Sequence, residues 1–411
     1  MVRTLSIAVL LAAAASSAGW MPDSPLIQAG DNVDIYFTAK ARLNYSSNLF
    51  FGASGDLPNS GTSWTVAPGL SADFFKESMF SGSVSWRRDF VRYFDSALKS
   101  LHDEQDNGGA SLTYDGGGPL TLRLEASYGE DARNTVEQIA LASSGGTLLR
   151  STSYGQSLNL GYRLTDKLSL NAAASHSSNR YDPHAKVFPA PPPVVYNTEG
   201  LTESNGWTFP LGLNYRVRER LTLGLAYEHG HTNIEAARGS TAAAPYTGFT
   251  KDFYGLTLSG QPTESGKLDM VLKAGLLRSV YDGGVDARNA PSYSVVLTHE
   301  LTERMNHSLS LSDSASVAVN GRRSETRAAN YTLNWVPDDT FRASATAGIS
   351  LSKVGSGTPT DADIRAGSYG LNATYTPDSH WTFTAGYTLY QAYRPSSYNV
   401  HQFSLEANLR W

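Results

Sequence analysis

The feature that most constrains this chain is an alternation of apolar and polar residues with period two, kept up for ten or more residues at a time. In the last run Phe403, Leu405, Ala407, Leu409 and Trp411 hold one phase. Gln402, Ser404, Glu406, Asn408 and Arg410 hold the other. Trp381, Phe383, Ala385, Tyr387 and Leu389 oppose Thr382, Thr384, Gly386 and Thr388, and Leu120, Leu122, Leu124, Ala126 and Tyr128 oppose Thr121, Arg123, Glu125 and Ser127. Successive side chains of a strand point to opposite faces of its sheet, so each run predicts a strand that is greasy on one side and wet on the other.

A soluble sandwich also alternates, so length decides. Soluble strands average about 5–6 residues, whereas a tilted strand crossing a membrane needs ~9–11. The runs 33–45 and 341–351 meet the second standard. The connections are unequal as well. Short turns fall at 76–78, 116–119, 164–167, 217–220, 301–304, 336–339 and 376–379, with a somewhat longer link at 260–266. Between them lie the longer polar segments 46–62, 95–108, 130–150, 179–205, 231–249, 282–290, 318–325, 352–364 and 393–398. This spacing predicts an all-β chain: one closed antiparallel transmembrane β-barrel with short periplasmic turns and longer extracellular loops. The count is about 18 strands. Sixteen is the other count the alternation allows, but the balance of short and long links favours eighteen. Closure follows from solvation, because an unpaired N–H or C=O facing hydrocarbon costs several kcal/mol.

Composition agrees by exclusion. Charged residues make up 17% of the chain and there is no cysteine. Thiol catalysis, disulfide scaffolds, Cys-ligated zinc and iron–sulfur sites are therefore excluded. Beyond the N-terminus no apolar run approaches the ~20 residues of a membrane-spanning helix. The N-terminus itself reads MVRTLSIAVLLAAAASSAGW, with Arg3 ahead of an apolar stretch and Ser16-Ser17-Ala18 as a small-residue cleavage site. Residues 1–18 are expected to be a signal peptide, 19–32 a short periplasmic extension and 33–411 the barrel. Cleavage removes Arg3 and no acid, which moves the net charge from −5 to −6. That mild acidity argues against nucleic acid as a partner.

Residues 33–75 read VDIYFTAKARLNYSSNLFFGASGDLPNSGTSWTVAPGLSADFF, a first strand, the phrase NYSSNLFF, a polar loop and then TVAPGLSADFF. This hairpin resembles beta-barrel porin family 2 of the outer-membrane proteins, and the strand–turn–strand phrase YRLTDKLSLNAAASHSSNRY (162–181) is similar in style. The resemblance implies an outer-membrane channel, with some relatives attached to exopolysaccharide export. It brings no catalytic motif. The closing strand, with Phe403, Leu405, Leu409 and Trp411 in phase, resembles the C-terminal signal that the barrel-assembly machinery recognises.

The polar phases supply candidate pore-lining residues: Lys40, Arg42, Arg87, Asp89, Arg123, Glu125, Glu228, Asp269, Lys273, Arg342, Glu406 and Arg410. Facing charges can set ion preference, or can simply pair across strands and hold the wall. The third outer loop, 130–150, has helix formers. If it folds into the lumen, Glu130, Asp131 and Glu137 would face Arg42, Arg87 and Arg123 across a constriction; an ordinary exposed loop is the alternative. Pro189 and Pro191 to Pro193 stiffen the loop 179–205. His176 and Ser178 bear only a superficial likeness to the His-x-Ser run of outer-membrane phospholipases, because the partner Asn is missing downstream. His229 and His231 have metal-compatible spacing but no evident third ligand.

The expected function is an outer-membrane channel for diffusion of small hydrophilic solutes, with no enzyme activity, cofactor or metal. The alternative is the barrel component of exopolysaccharide export. An outer-membrane hydrolase and an adhesive or scaffold barrel rank below. The expected partners are outer-membrane lipid, the barrel-assembly machinery during insertion, and small solutes or polysaccharide; the oligomeric state is left open.

Overall fold

The alternating runs become strands because each can pair with a neighbour on both sides while keeping one face apolar. A computed structural model describes residues 25–30, 32–49, 60–75, 78–132, 147–148, 150–182, 186–187, 201–238, 240, 243–244, 246–282, 287–318, 320–355, 362–394 and 397–411. The proposed signal peptide, Glu137 and the Pro-rich stretch 189–193 lie outside the described residues.

Eighteen long strands follow in chain order. They are β1 Val33–Ser46, β2 Gly61–Phe74, β3 Phe80–Tyr93, β4 Asp103–Asp115, β5 Leu120–Ala132 and β6 Arg150–Arg163. Next come β7 Leu168–Tyr181, β8 Thr202–Arg218, β9 Leu221–Ala236, β10 Gly248–Gly260, β11 Leu268–Tyr281 and β12 Arg288–Thr302. The last six are β13 Met305–Val317, β14 Arg323–Trp335, β15 Phe341–Val354, β16 Ala362–Tyr375, β17 Trp381–Arg394 and β18 Tyr398–Arg410. Every strand pairs antiparallel with the next, and β18 pairs with β1 from Thr38↔Arg410 to Ser46↔Gln402. The sheet is thus a closed antiparallel barrel of eighteen strands with no free edge.

The closure is finished by two chain ends. Trp411 and Phe37 exchange backbone hydrogen bonds of 2.8 and 2.5 Å. Below that point β18 has ended and β1 would present bare N–H and C=O groups. Residues 27–29 cover them: Ile27 lies opposite Ile35 and Ala29 opposite Val33. The segment expected as a plain extension therefore supplies a short strand to the seam.

The short turns owe their shape to side-chain acceptors. In VPDD the Asp338 Oδ1 accepts from Thr340 N at 2.8 Å, Thr340 Oγ1 at 2.7 Å and Phe341 N at 2.8 Å. In TPDS the Asp378 Oδ1 accepts from His380 N and Trp381 N, both at 2.8 Å. Thr165 Oγ1 does the same for Leu168 N in LTDK at 3.1 Å. Such Asx and Ser/Thr turns satisfy backbone donors that a hairpin would otherwise leave to water.

The outer face is an apolar belt. Leu276, Leu371, Leu225 and Leu405 are 63, 60, 59 and 58% exposed, and all fall in the outward phase of their strands. Rings gather at both margins. Phe80–Tyr114 and Trp335–Phe341, with centroids 5.0 and 6.0 Å apart, mark the short-turn end. Tyr128–Tyr154 and Tyr227–Tyr254, 5.1 and 5.0 Å apart, mark the long-loop end. Among the described residues the one helical element is a 3-10 turn, Ser96–Leu101.

Candidate functional site

The twelve residues proposed for the lumen all sit in the inward phase, because each is adjacent in sequence to residues of the apolar belt. Lys40 lies between Ala39 and Ala41, which face Leu409 and Ala407, while Arg42 lies opposite Glu406. Asp269 and Arg342 are exposed and make no ion pair among the described residues.

The remaining charges form small groups. Glu406 sits between Lys40 Nζ at 3.1 Å and Arg42 Nε at 3.7 Å. Arg87 Nε reaches Asp89 Oδ1 at 2.6 Å, and Arg410 Nη2 reaches Asp73 Oδ2 at 2.6 Å. Arg123 and Glu125, two apart on β5, pair at 2.5 Å. On the facing wall Glu228 takes Lys251 at 2.9 Å and Lys273 at 3.2 Å. The Lys273 ammonium also sits 4.3 Å from the Phe253 ring centroid. That ring lies over Gly255 and Gly275: a Cβ on either glycine would come within 2.4 and 2.8 Å of Phe253 Cζ. Glycine here lets a large inward ring lie flat on the wall, which keeps the lumen open.

One sequence expectation is corrected. Glu130 does not start a loop that enters the lumen. It belongs to β5, which runs to Ala132, and shares the outward phase of Leu122, Leu124 and Tyr128. Its carboxylate holds Arg150 Nη2 at 2.7 Å, Tyr128 Oη at 2.6 Å and Asp106 N at 3.0 Å on the outer wall. It cannot oppose Arg42, Arg87 or Arg123 from there. Asp131 is in the inward phase of the same strand, and the rest of that loop lies outside the described residues except Thr147–Leu148.

A different loop packs on the inward face, and the sequence did not disclose it. Leu98 and Leu101 of the 3-10 turn are buried against Leu49 and Tyr93. The cluster covers Gly61, where a Cβ would lie 2.5 Å from Leu49 Cδ1 and 2.8 Å from Leu98 Cδ1. Gly61 is in the inward phase of β2, so these leucines pack on the inward side at the long-loop end. A second cluster has Tyr246 stacked on Tyr281 at 3.9 Å, beside Ile234 and Phe249.

The histidine candidates face outward. His176 Nε2 is 2.6 Å from Asn205 Oδ1, and no hydrogen bond joins it to Ser178 among the described residues. The nucleophile–base contact that hydrolysis needs is not made. His229 Nδ1 is 2.8 Å from Asp252 Oδ1. Both ring nitrogens of His231 are engaged, by Thr250 and Asn233 at 3.0 Å each. No group of three or more metal-ligating side chains occurs among the described residues.

No family model matches the chain, and no curated protein matches it. Solved structures do. The chain is similar to OccK9 (OpdG) of Pseudomonas aeruginosa at 12% identity and a TM-score of 0.49, covering 92% of this chain and 98% of that one. It is similar to OccAB3 of Acinetobacter baumannii at 10% identity and a TM-score of 0.47, covering 92 and 99%. Against the FrpB iron transporter of Neisseria meningitidis (F3-3 variant) the identity is 13% and the TM-score 0.45, covering 87% of this chain and 62% of that one. The chain thus spans less than two thirds of that transporter's length.

Proposed function

We propose that the chain is a bacterial outer-membrane channel through which small hydrophilic solutes diffuse. The observation that carries this reading is the division of the wall: apolar residues face out while Lys40, Arg42, Glu228, Lys273, Glu406 and Arg410 face in. Lipid is the solvent that makes the first face stable, and water is the solvent that makes the second stable. Barrels of 16–18 strands enclose room for an aqueous path. In this reading residues 1–18 direct export and are removed, and the outward-facing Phe403, Leu405, Leu409 and Trp411 serve recognition by the barrel-assembly machinery. No chemistry is assigned to the wall; width, mouth loops and wall charge select what passes.

Nothing among the described residues favours polymer export over diffusion of small solutes. Protein refolded into a planar bilayer should give discrete conductance steps in KCl. Folded, inserted protein with no conductance would overturn the channel reading and favour a scaffold barrel.

A further inference from the structure

The outer wall carries its charges unevenly. At the long-loop end of β3–β6, Arg88, Arg92 and Arg150 face outward among Glu104, Asp106 and Glu130, three against three. Over β14–β17 the balance differs. Arg327, Lys353, Arg365 and Arg394 are all exposed there, in the outward phase of Tyr331, Leu351 and Tyr369. Arg327 pairs with Asp313 at 2.9 Å, while Arg365 and Arg394 share Asp363 at 3.0 and 3.2 Å. Lys353 makes no ion pair among the described residues. Glu325 offsets none of them, since Arg288 and Arg323 hold it at 2.5 and 2.7 Å. Four cations against two carboxylates leave an excess of two positive charges on this sector.

Register sets the three arginines in one row. Arg327 lies opposite Leu351, Leu351 opposite Arg365, and Arg365 opposite Arg394. At ~4.8 Å between strands the row is about 14 Å wide. Its height follows from Tyr375, in the aromatic ring at the short-turn end, ten residues along β16 from Arg365. At ~3.3 Å per residue and a tilt of ~40°, ten residues rise about 25 Å, the full height of the apolar band. The row therefore stands at the level of lipid headgroups. Lower on the same strands the wall is scooped out. Ala343, Ala345, Ala373 and Ala385 floor a groove of about 670 Å³ between Trp335 and Phe403. These alanines share the outward phase of Leu371 and Leu405, so the groove opens to hydrocarbon and not to the lumen. Tyr369, exposed on the outward face, lies between the row and the groove, as an interfacial tyrosine does.

We propose that this sector binds a phosphorylated glycolipid of the outer leaflet, with its phosphates on the arginine row and an acyl chain in the groove. Two features select that occupant. Guanidiniums bind phosphate through paired N–H groups, and a row about 14 Å wide suits a saccharide carrying phosphates at separate points rather than one free anion. An apolar groove on the same strands calls for a chain as well as a headgroup. The site needs the long loops to lie outside the cell, and it is independent of whether the lumen conducts.

The test titrates bisphosphorylated lipid A onto folded protein in detergent and counts bound lipid by native mass spectrometry. Lipid A should bind saturably, and its dephosphorylated form much more weakly. Arg365→Gln and Arg394→Gln should each weaken binding about fivefold, the effect of one cation at an anionic lipid surface. Ala345→Trp, which fills the groove, should weaken both forms of the lipid and leave the ratio between them unchanged. Equal binding of the two forms by wild-type protein, or equal lipid A binding by wild type and the double Gln variant, overturns the proposal. So does binding of phosphatidylglycerol as tight as that of lipid A, which would make this a surface for any anionic lipid. The comparison of lipids uses wild-type protein alone, so it decides even where a variant fails to fold. Planar-bilayer conductance reports on the channel separately. Lipid A binding without conductance keeps the site and removes the channel, and conductance without lipid A binding removes the site and keeps the channel.

Discussion

Leu371 tests which face of the wall meets lipid. It lies in the outward phase of β16, between Ala345 and Tyr387 on the adjoining strands, and is 60% exposed. It stands four residues from Tyr375, in the ring of aromatics at the short-turn end. At ~3.3 Å per residue and a tilt of ~40°, this puts it roughly 10 Å inside the belt, near the middle of an apolar band about 25 Å tall. A charge on the lipid face at that depth costs about 2–4 kcal/mol. Leu371→Arg should therefore lower the folding free energy in vesicles by about 3 kcal/mol, a factor of about 10² in the equilibrium constant. The adjacent Asn372 points inward beside Ser344 and Gly386. Asn372→Arg at the same height should stay within about 1 kcal/mol, since it adds a charge to water. Urea titration of refolding into vesicles, followed by tryptophan fluorescence, measures both. Equal costs, or a larger cost at 372, would mean that the apolar phase faces inward and would refute the barrel's orientation.

Two further outcomes follow from local geometry. Gly61→Val should push Leu49 and Leu98 off the inward face of β2 and raise single-channel conductance; an unchanged conductance would show that this cluster does not narrow the mouth. Asp338 accepts the Thr340 hydroxyl and the Thr340 and Phe341 N–H groups, in that order of effect, which hold its carboxyl below the usual aspartate range. A depressed pKa means its stabilising contribution is complete above the unfolded value near ~3.9 and is lost as pH falls through the folded value. Asp338→Ala should therefore lower the urea midpoint at pH 7 and leave it unchanged in strong acid, and a deficit that persists in acid would refute the turn's role.

The phase of each strand was legible from the sequence because burial in lipid and exposure to water impose it residue by residue. That is why Lys40, Arg87, Glu228 and Glu406 share the polar phase of their strands. Pairs within a strand or across neighbours, such as Arg123–Glu125, were accessible to the same reasoning. The Leu98–Leu49–Gly61 contact was not, because it joins three loop and strand-end segments that no period relates. The seam strand Ile27–Ala29 was hidden for a similar reason: three residues carry too little pattern to announce a strand, and their partner is the edge left where β18 stops.

The misplacement of Glu130 has a physical cause that also locates the membrane. Strands of 13–17 residues, tilted by ~40°, rise about 33–43 Å, so they overshoot an apolar band of about 25 Å. Beyond the band the outer face meets water and the pattern reverses without any change of phase. On β3 the outward phase runs Val84, Trp86 and then Arg88 and Arg92, whose guanidiniums hold Glu104 at 3.0 and 3.1 Å. Glu130 with Arg150, and Asp313 with Arg327 at 2.9 Å, repeat this on other strands. The inward phase turns apolar at the same height, with Ile234, Phe249 and Tyr281 under the loop residue Tyr246. A charge entering the apolar phase therefore signals the end of the lipid, not the end of the strand. The point where outward aromatics give way to outward ion pairs, Trp86 to Arg88 or Tyr128 to Glu130, is where the outer surface of the membrane must lie.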